Sequence, residues 1–262
     1  MKIQALLLFL VVTFLGTPAQ AKVVGKNVAY EDAGVQLEGY LVYDDAVTGK
    51  RPGVLVVDEA WGLTEYSRGR AEQLAAMGYV AFAVDMYGKG KVTKHLEEAG
   101  EWMKQVNSNV RAWQQRALAG LEVLKKEPRT DPQRIAAIGY CFGGSTVQQL
   151  AYSGSDIKGV VSFHGSLLLP PAEQGSQVKA KILICHGAAD PFTKPGAVEE
   201  YMAAMNKAGL DWQLIAYGGA KHSFTNPNAD KMGMAGLGYS KSADQRSWAD
   251  MQVFLKEIFG LP

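Results

Sequence analysis

Arg134-Ile135-Ala136-Ala137-Ile138-Gly139-Tyr140-Cys141-Phe142-Gly143-Gly144 is the stretch that decides how this chain folds. The run 134–138, apolar after its first residue, reads as a buried strand, and a helix-like segment over 145–152 follows at once. Small residues two before and two after Cys141 let the backbone turn sharply from strand into helix. The side chain at the apex is then held strained and exposed above the sheet, where a nucleophile belongs. A buried cysteine in a Gly-rich turn is the plainer alternative, since free cysteine usually behaves as a small core hydrophobe. Strand before, helix after and glycine on both sides favour the nucleophile, and cysteine at the apex implies acyl transfer on sulfur.

The rest of the chain supplies a setting for such a turn. The segments 23–30 and 35–43 read as strands joined at Glu31-Asp32-Ala33-Gly34, a hairpin at one edge of a sheet. Buried strands are predicted over 53–57, 79–84, 159–163, 180–185 and 212–217. Helices are predicted over 66–77, 197–208 and 243–259, and 93–126 reads as mostly helical with breaks at Gly100 and at 107–109. Strands alternating with helices imply an α/β fold with a mostly parallel sheet covered on both faces, where sites gather at the C-terminal strand ends.

A net charge of +1 with no long run of like charge gives no support to nucleic-acid binding or electrostatic membrane docking. Met1-Lys2, an apolar run over 5–15 and the ending Ala19-Gln20-Ala21 read as a cleavable secretory signal, cut after Ala21. The run is too short to span a bilayer, so the mature protein is expected to be secreted or periplasmic and free of membrane. Residues 22–262 then make one α/β domain, working as a monomer or a small homo-oligomer. There are two cysteines. Cys185 lies in the apolar strand Ile182-Leu183-Ile184-Cys185 and reads as core, although a Cys141–Cys185 disulfide stands as a competing structural reading.

A thiol nucleophile needs a general base, and the base needs a group to orient it. Enzymes with this elbow carry them in the order nucleophile, acid, histidine. Asp190 follows a strand in Cys185-His186-Gly187-Ala188-Ala189-Asp190-Pro191, where its carboxylate can reach an imidazole. A helix cap is its competing use. His222 follows the 212–217 strand in Gly218-Gly219-Ala220-Lys221-His222, the loop position a base requires. Of the other histidines, His95 reads as a surface residue, His164 as a satisfied structural imidazole, and His186 as bonded to backbone. No group of His, Cys and carboxylates has metal-ligand spacing, and no cofactor is implied.

Cys141, Asp190 and His222 in this order, with Gly139-Tyr140-Cys141-Phe142-Gly143-Gly144, resemble the dienelactone hydrolase family. Further likeness lies in Asp85-Met86-Tyr87 and in Val57-Asp58-Glu59-Ala60-Trp61-Gly62. The resemblance runs from about Val35 to the final helix and implies an α/β-hydrolase fold. It implies hydrolysis of lactones of the carboxymethylenebutenolide type, with backbone N–H groups of Ala60 and Phe142 as the oxyanion hole. It further implies that Glu59 contacts the resting thiol as a gate; Tyr87 is a candidate for substrate binding, and Trp61 reads either as a pocket wall or as ordinary packing. The helix dipole at Cys141 favours negative sulfur, and a nearby Glu59 carboxylate opposes it.

The substrate clamp departs from the family. Where family members grip a substrate carboxylate with two arginines, this chain has Lys89 and Asn226. Lysine lacks the planar two-pronged contact of arginine, and asparagine carries no charge. The loop 226–240 is long enough to be a lid or an ordinary insertion. The expected activity is cysteine-dependent hydrolysis of a small-molecule ester or lactone. A broad carboxylesterase or thioesterase is the nearest alternative, and a non-catalytic binding protein on the same fold is the more distant one.

Overall fold

The computed structural model describes residues 22–171 and 177–261, so the expected signal at 1–21 lies outside the described residues. One hairpin, β1 (Val23–Asp32) and β2 (Val35–Asp44), leads into β3 (Arg51–Val57), α1 (Glu65–Ala76) and β4 (Val80–Val84). Two helices follow, α2 (Leu96–Asn107) and α3 (Val110–Lys126), and then β5 (Thr130–Tyr140) and α4 (Phe142–Tyr152). The chain closes with β6 (Gly159–Phe163), β7 (Lys181–Gly187), α5 (Ala197–Lys207), β8 (Trp212–Tyr217) and α6 (Lys241–Phe259). The strands form one eight-stranded sheet in the order β1-β2-β4-β3-β5-β6-β7-β8. β1 and β2 are antiparallel to their neighbours, and every pairing from β4 across to β8 is parallel. The predicted mixture of an edge hairpin and a parallel body is the observed one.

The period of two along a strand sends alternate side chains to opposite faces, and β3 shows the result. Leu55 and Val57 pack with Ala117, Leu121 and Leu124 of α3 and Val147 and Leu150 of α4. Val54 and Val56 pack with Leu74 of α1 and Met251, Phe254 and Leu255 of α6. Two cores therefore clamp the central strands, and every residue of β3 is buried. Burial on both faces accounts for the near-continuous apolar runs in the sequence.

Helix boundaries follow local chemistry. Thr64 caps α1 by accepting from the Tyr66 N–H, and Asn109 caps α3 by accepting from the Ala112 N–H. The predicted break at Gly100 is absent: α2 runs through it, because packing of Ala99 and Trp102 against the core outweighs the helix cost of one glycine. The break at 107–109 is present.

The elbow between β5 and α4 needs its glycines for closeness of backbones. A Cβ on Gly139 would overlap the carbonyl of Gly143, and one on Gly143 would overlap the carbonyls of Val57 and Asp58. The tip of β3, the tip of β5 and the first turn of α4 thus meet at a separation that only residues without a Cβ permit. Gly139→Ala is accordingly expected to cost about 2–3 kcal/mol of stability, the range for overpacking against atoms that cannot yield. Urea denaturation at neutral pH measures it, and a loss below 0.5 kcal/mol (roughly the scatter of neutral surface changes) would contradict this account of the elbow.

Candidate active site

Cys141 stands between β5 and α4 with φ 51° and ψ −113°, a conformation L-residues rarely adopt. Its N–H points back to β6, lying 3.0 Å from the Phe163 carbonyl and 3.1 Å from His164 Nδ1. Its carbonyl accepts from the Ser145 N–H at 3.1 Å, starting α4. Among the described residues, neither the Ala60 N–H nor the Phe142 N–H donates to a protein acceptor. The Gly143 contact brings the end of β3, and with it the Ala60 loop, against the start of α4. Two amides without a protein acceptor among the described residues therefore belong to the loop after β3 and to the first turn of α4, the two segments that meet beside Cys141.

His222 Nδ1 lies 2.7 Å from Asp190 Oδ2. Asp190 follows β7, where its other oxygen accepts from the Phe192 N–H at 2.9 Å, so the loop itself orients the carboxylate. Cys141 and His222 meet through His164, whose Nδ1 lies 3.1 Å from the Cys141 N–H and whose ring centroid lies 5.3 Å from that of His222. Burial pulls the His222 pKa down. The negative charge available on Cys141 and the hydrogen bond to Asp190 outweigh it, leaving the imidazole well above its ordinary range. Both cysteines are free thiols, and Cys185 is a buried core residue whose thiol burial pushes up to about 12. The competing disulfide is not formed.

Two adjacent carboxylates, both buried, organise the loop after β3. Asp58 Oδ1 accepts from the Glu59 N–H at 2.7 Å, and Oδ2 accepts from the Thr64 N–H at 2.6 Å, the Thr64 hydroxyl at 2.6 Å and the Ser67 hydroxyl at 2.7 Å. One side chain thereby ties both ends of the segment carrying Ala60 and Trp61. Burial pushes the Asp58 carboxyl up to about 7 against the opposing pull of the Thr64 bonds. Glu59, expected against the thiol, is bonded elsewhere. Its Oε1 accepts from the Ser223 hydroxyl at 2.5 Å and its Oε2 from the Asn226 amide at 2.6 Å. Burial raises its pKa, opposed by those two hydrogen bonds and by the neighbouring His222.

The remaining candidates divide. Asn226, placed by the sequence at a clamp position, is buried and committed to Glu59. Lys89 is 61 % exposed at its side chain and ion-paired with Glu38 at 3.1 Å. Trp61 is half-buried and lines a cleft of about 750 Å3 with Tyr66, Val92, Asn226 and Met232. Tyr87 stacks on Phe142 and is tilted against Trp102, and its hydroxyl is buried without a partner among the described residues. The far end of the loop 226–240 is pinned back on the residues that precede it: the Gly238 N–H donates to the His222 carbonyl and the Ser240 N–H to the Phe224 carbonyl. Phe192, over half exposed, sets its ring edge-on to His222 with centroids 5.2 Å apart.

Four residues of the site were not singled out from sequence as functional: Asp58, His164, Ser223 and Thr225. His164 was expected to be a satisfied imidazole, and it is, but its partners are the nucleophile amide and the Thr225 hydroxyl, 2.7 Å from Nε2. A polar residue directly after a buried strand was the available signal for Asp58 and His164. His186, expected to bond backbone, instead leaves Nδ1 buried without a partner. Of the four described non-glycine residues with positive φ, three are Cys141, His164 and Ser223, so backbone strain concentrates here.

Comparison with known proteins agrees with this geometry. A sequence model described as the dienelactone hydrolase family matches residues 37–259. A protein of Aquifex aeolicus named for carboxymethylenebutenolidase activity is 28% identical over 214 residues, covering 78% of this chain and 88% of its own. A dienelactone hydrolase-like promiscuous phosphotriesterase from metagenomic libraries superposes with a TM-score of 0.87 at 35% identity, covering 90% of this chain and 99% of its own. A structure called m3DLH gives the same TM-score of 0.87 and the same coverage at 39% identity.

His164 also predicts a pH effect on stability. Burial, the neighbouring His222 and Arg70 hold its pKa well below the ordinary value. The unfolded chain takes up a proton near pH 6.5 that the folded imidazole refuses, so folding free energy is lost as pH falls below about 6.5, by up to about 1.4 kcal/mol per unit. Replacing His164 by Gln removes that contribution. The unfolding free energies of wild type and H164Q should converge between about pH 7 and about pH 5, as urea titrations can measure. A constant difference across that range would refute the buried neutral imidazole.

Proposed function

The chain belongs to the dienelactone hydrolase family, and from that premise we propose that it is a cysteine-dependent hydrolase of carboxylic esters or lactones. One observation carries the reading: the His222 ring, held by Asp190, and the Cys141 amide both contact the His164 ring, beside two amides that have no protein acceptor among the described residues. In the first step His222 receives the thiol proton as Cys141 Sγ bonds to the substrate carbonyl carbon. The carbonyl oxygen takes the electron pair and is held by the N–H groups of Ala60 and Phe142. The carbon–oxygen bond to the leaving group then breaks, and the His222 imidazolium gives its proton to the departing oxygen. Water, deprotonated by His222, attacks the thioester, and Sγ leaves to regain the proton. Asp190 keeps Nδ1–H in place, so that Nε2 serves the sulfur.

Glu59 fits this cycle as a held acceptor: both of its oxygens accept hydrogen bonds, which opposes the pull of burial toward protonation. Its two bonds to Ser223 and Asn226 hold it off the sulfur in the resting geometry, and its proximity to His222 favours the imidazolium formed in the first step. With Asn226 spent on Glu59 and Lys89 on Glu38, neither clamp position has a free charge for a substrate carboxylate. Neutral substrates are therefore favoured. The leader read over 1–21 adds the proposal that the enzyme is exported. Its mature N-terminus would begin at Lys22, which N-terminal sequencing of the exported protein tests.

Cys141→Ala is expected to lower kcat at least about 1000-fold without loss of folding, since the nucleophile and base act as a unit. Retention of wild-type ester hydrolysis by this variant would sink the mechanism. A panel of a lactone, an aryl acetate, a thioester and the hemisuccinate of the same aryl alcohol assigns the substrate class. The neutral aryl ester should have a kcat/KM at least equal to that of its carboxylate-bearing counterpart. A tenfold preference (about 1.4 kcal/mol) for the anionic ester would contradict the loss of the clamp.

A further inference from the structure

The buried imidazole of His164 touches both the Cys141 amide and the His222 ring, yet neither role of the proposed mechanism uses it. Its Nδ1 accepts from the Cys141 N–H at 3.1 Å. An acceptor nitrogen carries no proton, so the ring proton resides on Nε2, which lies 2.7 Å from Thr225 Oγ1 and donates to it. Thr225 is itself immobilised. Its hydroxyl lies 2.6 Å from the Tyr66 hydroxyl and its carbonyl accepts from Arg70 Nη2 at 2.7 Å. Arg70 is anchored in turn by Asp244 of α6. Thr225 belongs to the same loop as His222, three residues on, and the His164 and His222 rings meet edge to face with centroids 5.3 Å apart.

From these contacts we infer that His164 is a positioning residue, a brace that joins the backbone of the nucleophile to the loop bearing the base and so fixes the spacing of Cys141 and His222. The inference rests on the hydrolase reading above and deepens it. Both ends of the brace are at strained backbone: Cys141 has φ 51°, His164 φ 41° and Ser223, beside the base, φ 54°. Such conformations persist only where the surroundings over-determine them. One planar ring with two opposed nitrogens meets that need, because it bonds a backbone N–H on one side and a hydroxyl on the other at a fixed separation. His222 leans on Phe192 and Asp190 from its other sides, so His164 supplies the support facing β6. A near-attack geometry tolerates little drift, and a displacement of about 1 Å is enough to cost on the order of 100-fold in rate.

The test compares His164→Gln, Thr225→Val and Thr225→Ser, singly and with H164Q and T225V combined. It reads kcat and KM on an aryl ester and the rate of Cys141 alkylation by iodoacetamide, with peptide mapping to exclude Cys185. H164Q and T225V should each lower kcat about 10- to 100-fold with KM within about twofold, and each should slow alkylation. Thr225→Ser, which keeps the hydroxyl, should restore most of the activity. The double variant should be no worse than the poorer single one, because both changes cut the same connection. Unchanged kcat and alkylation in folded variants, equal losses in T225V and T225S, or losses that multiply in the double variant would overturn the brace. Should H164Q fail to fold, the T225V and T225S pair decides alone. Wild type that turns over no ester refutes the hydrolase reading, whereas the alkylation rates still report on the brace.

Discussion

The close approach of three backbones at the strand-to-helix elbow is the constraint on which the rest of the structure depends. Gly139, Gly143 and the carbonyls of Val57 and Asp58 are packed at separations that leave no room for a Cβ. That contact forces Cys141 into the left-handed region and lifts its side chain clear of the sheet. It also brings the loop after β3 beside the first turn of α4, so the same steric fact that presents the sulfur presents the two amide donors. The cost of the strained apex is met by burial of apolar side chains on both faces of the sheet, which holds β3 and β5 rigidly beneath it.

Around the elbow the chain concentrates buried polar groups, and three of them are committed to partners from other segments. Asp58 ties its own loop to the start of α1, Glu59 reaches across to Ser223 and Asn226, and His164 reaches Thr225. In a medium of low polarizability an unpaired member of such a set is costly, so the network either forms whole or not at all. The three loops after β3, β6 and β8 are fixed relative to one another by side-chain bonds in place of a shared secondary structure. The electrostatic result is a site with two buried carboxylates whose protons burial favours, one imidazole kept neutral and another kept basic.

Much of this was legible in the sequence because it is local. The elbow glycines, the strand before and the helix after are contiguous, and the acid and base each follow an apolar run that announces a strand end. Alternation of such runs with helical segments gave the sheet class, and β8 begins and ends at the residues expected. Glu59 and Asn226 were legible only as positions. Their partners lie 164 and 167 residues away from Glu59, so no pattern within a window shows that the two bond each other in preference to thiol or substrate. Gly100 misled for the opposite reason, since a local propensity was overridden by packing of the helix face.

Residue order and periodicity by themselves determined an α/β chain with a cysteine elbow followed by an acid and a histidine, because those features depend on neighbours within a few positions. Only the tertiary structure decided what each polar group faces. It set Glu59 on Ser223 and Asn226, Lys89 on Glu38, and His164 between Cys141 and the loop bearing His222. Hydrogen bonds and charges act over a few ångströms in space with no regard to distance along the chain, and the folded sheet alone brings the ends of β3, β6 and β8 within that range.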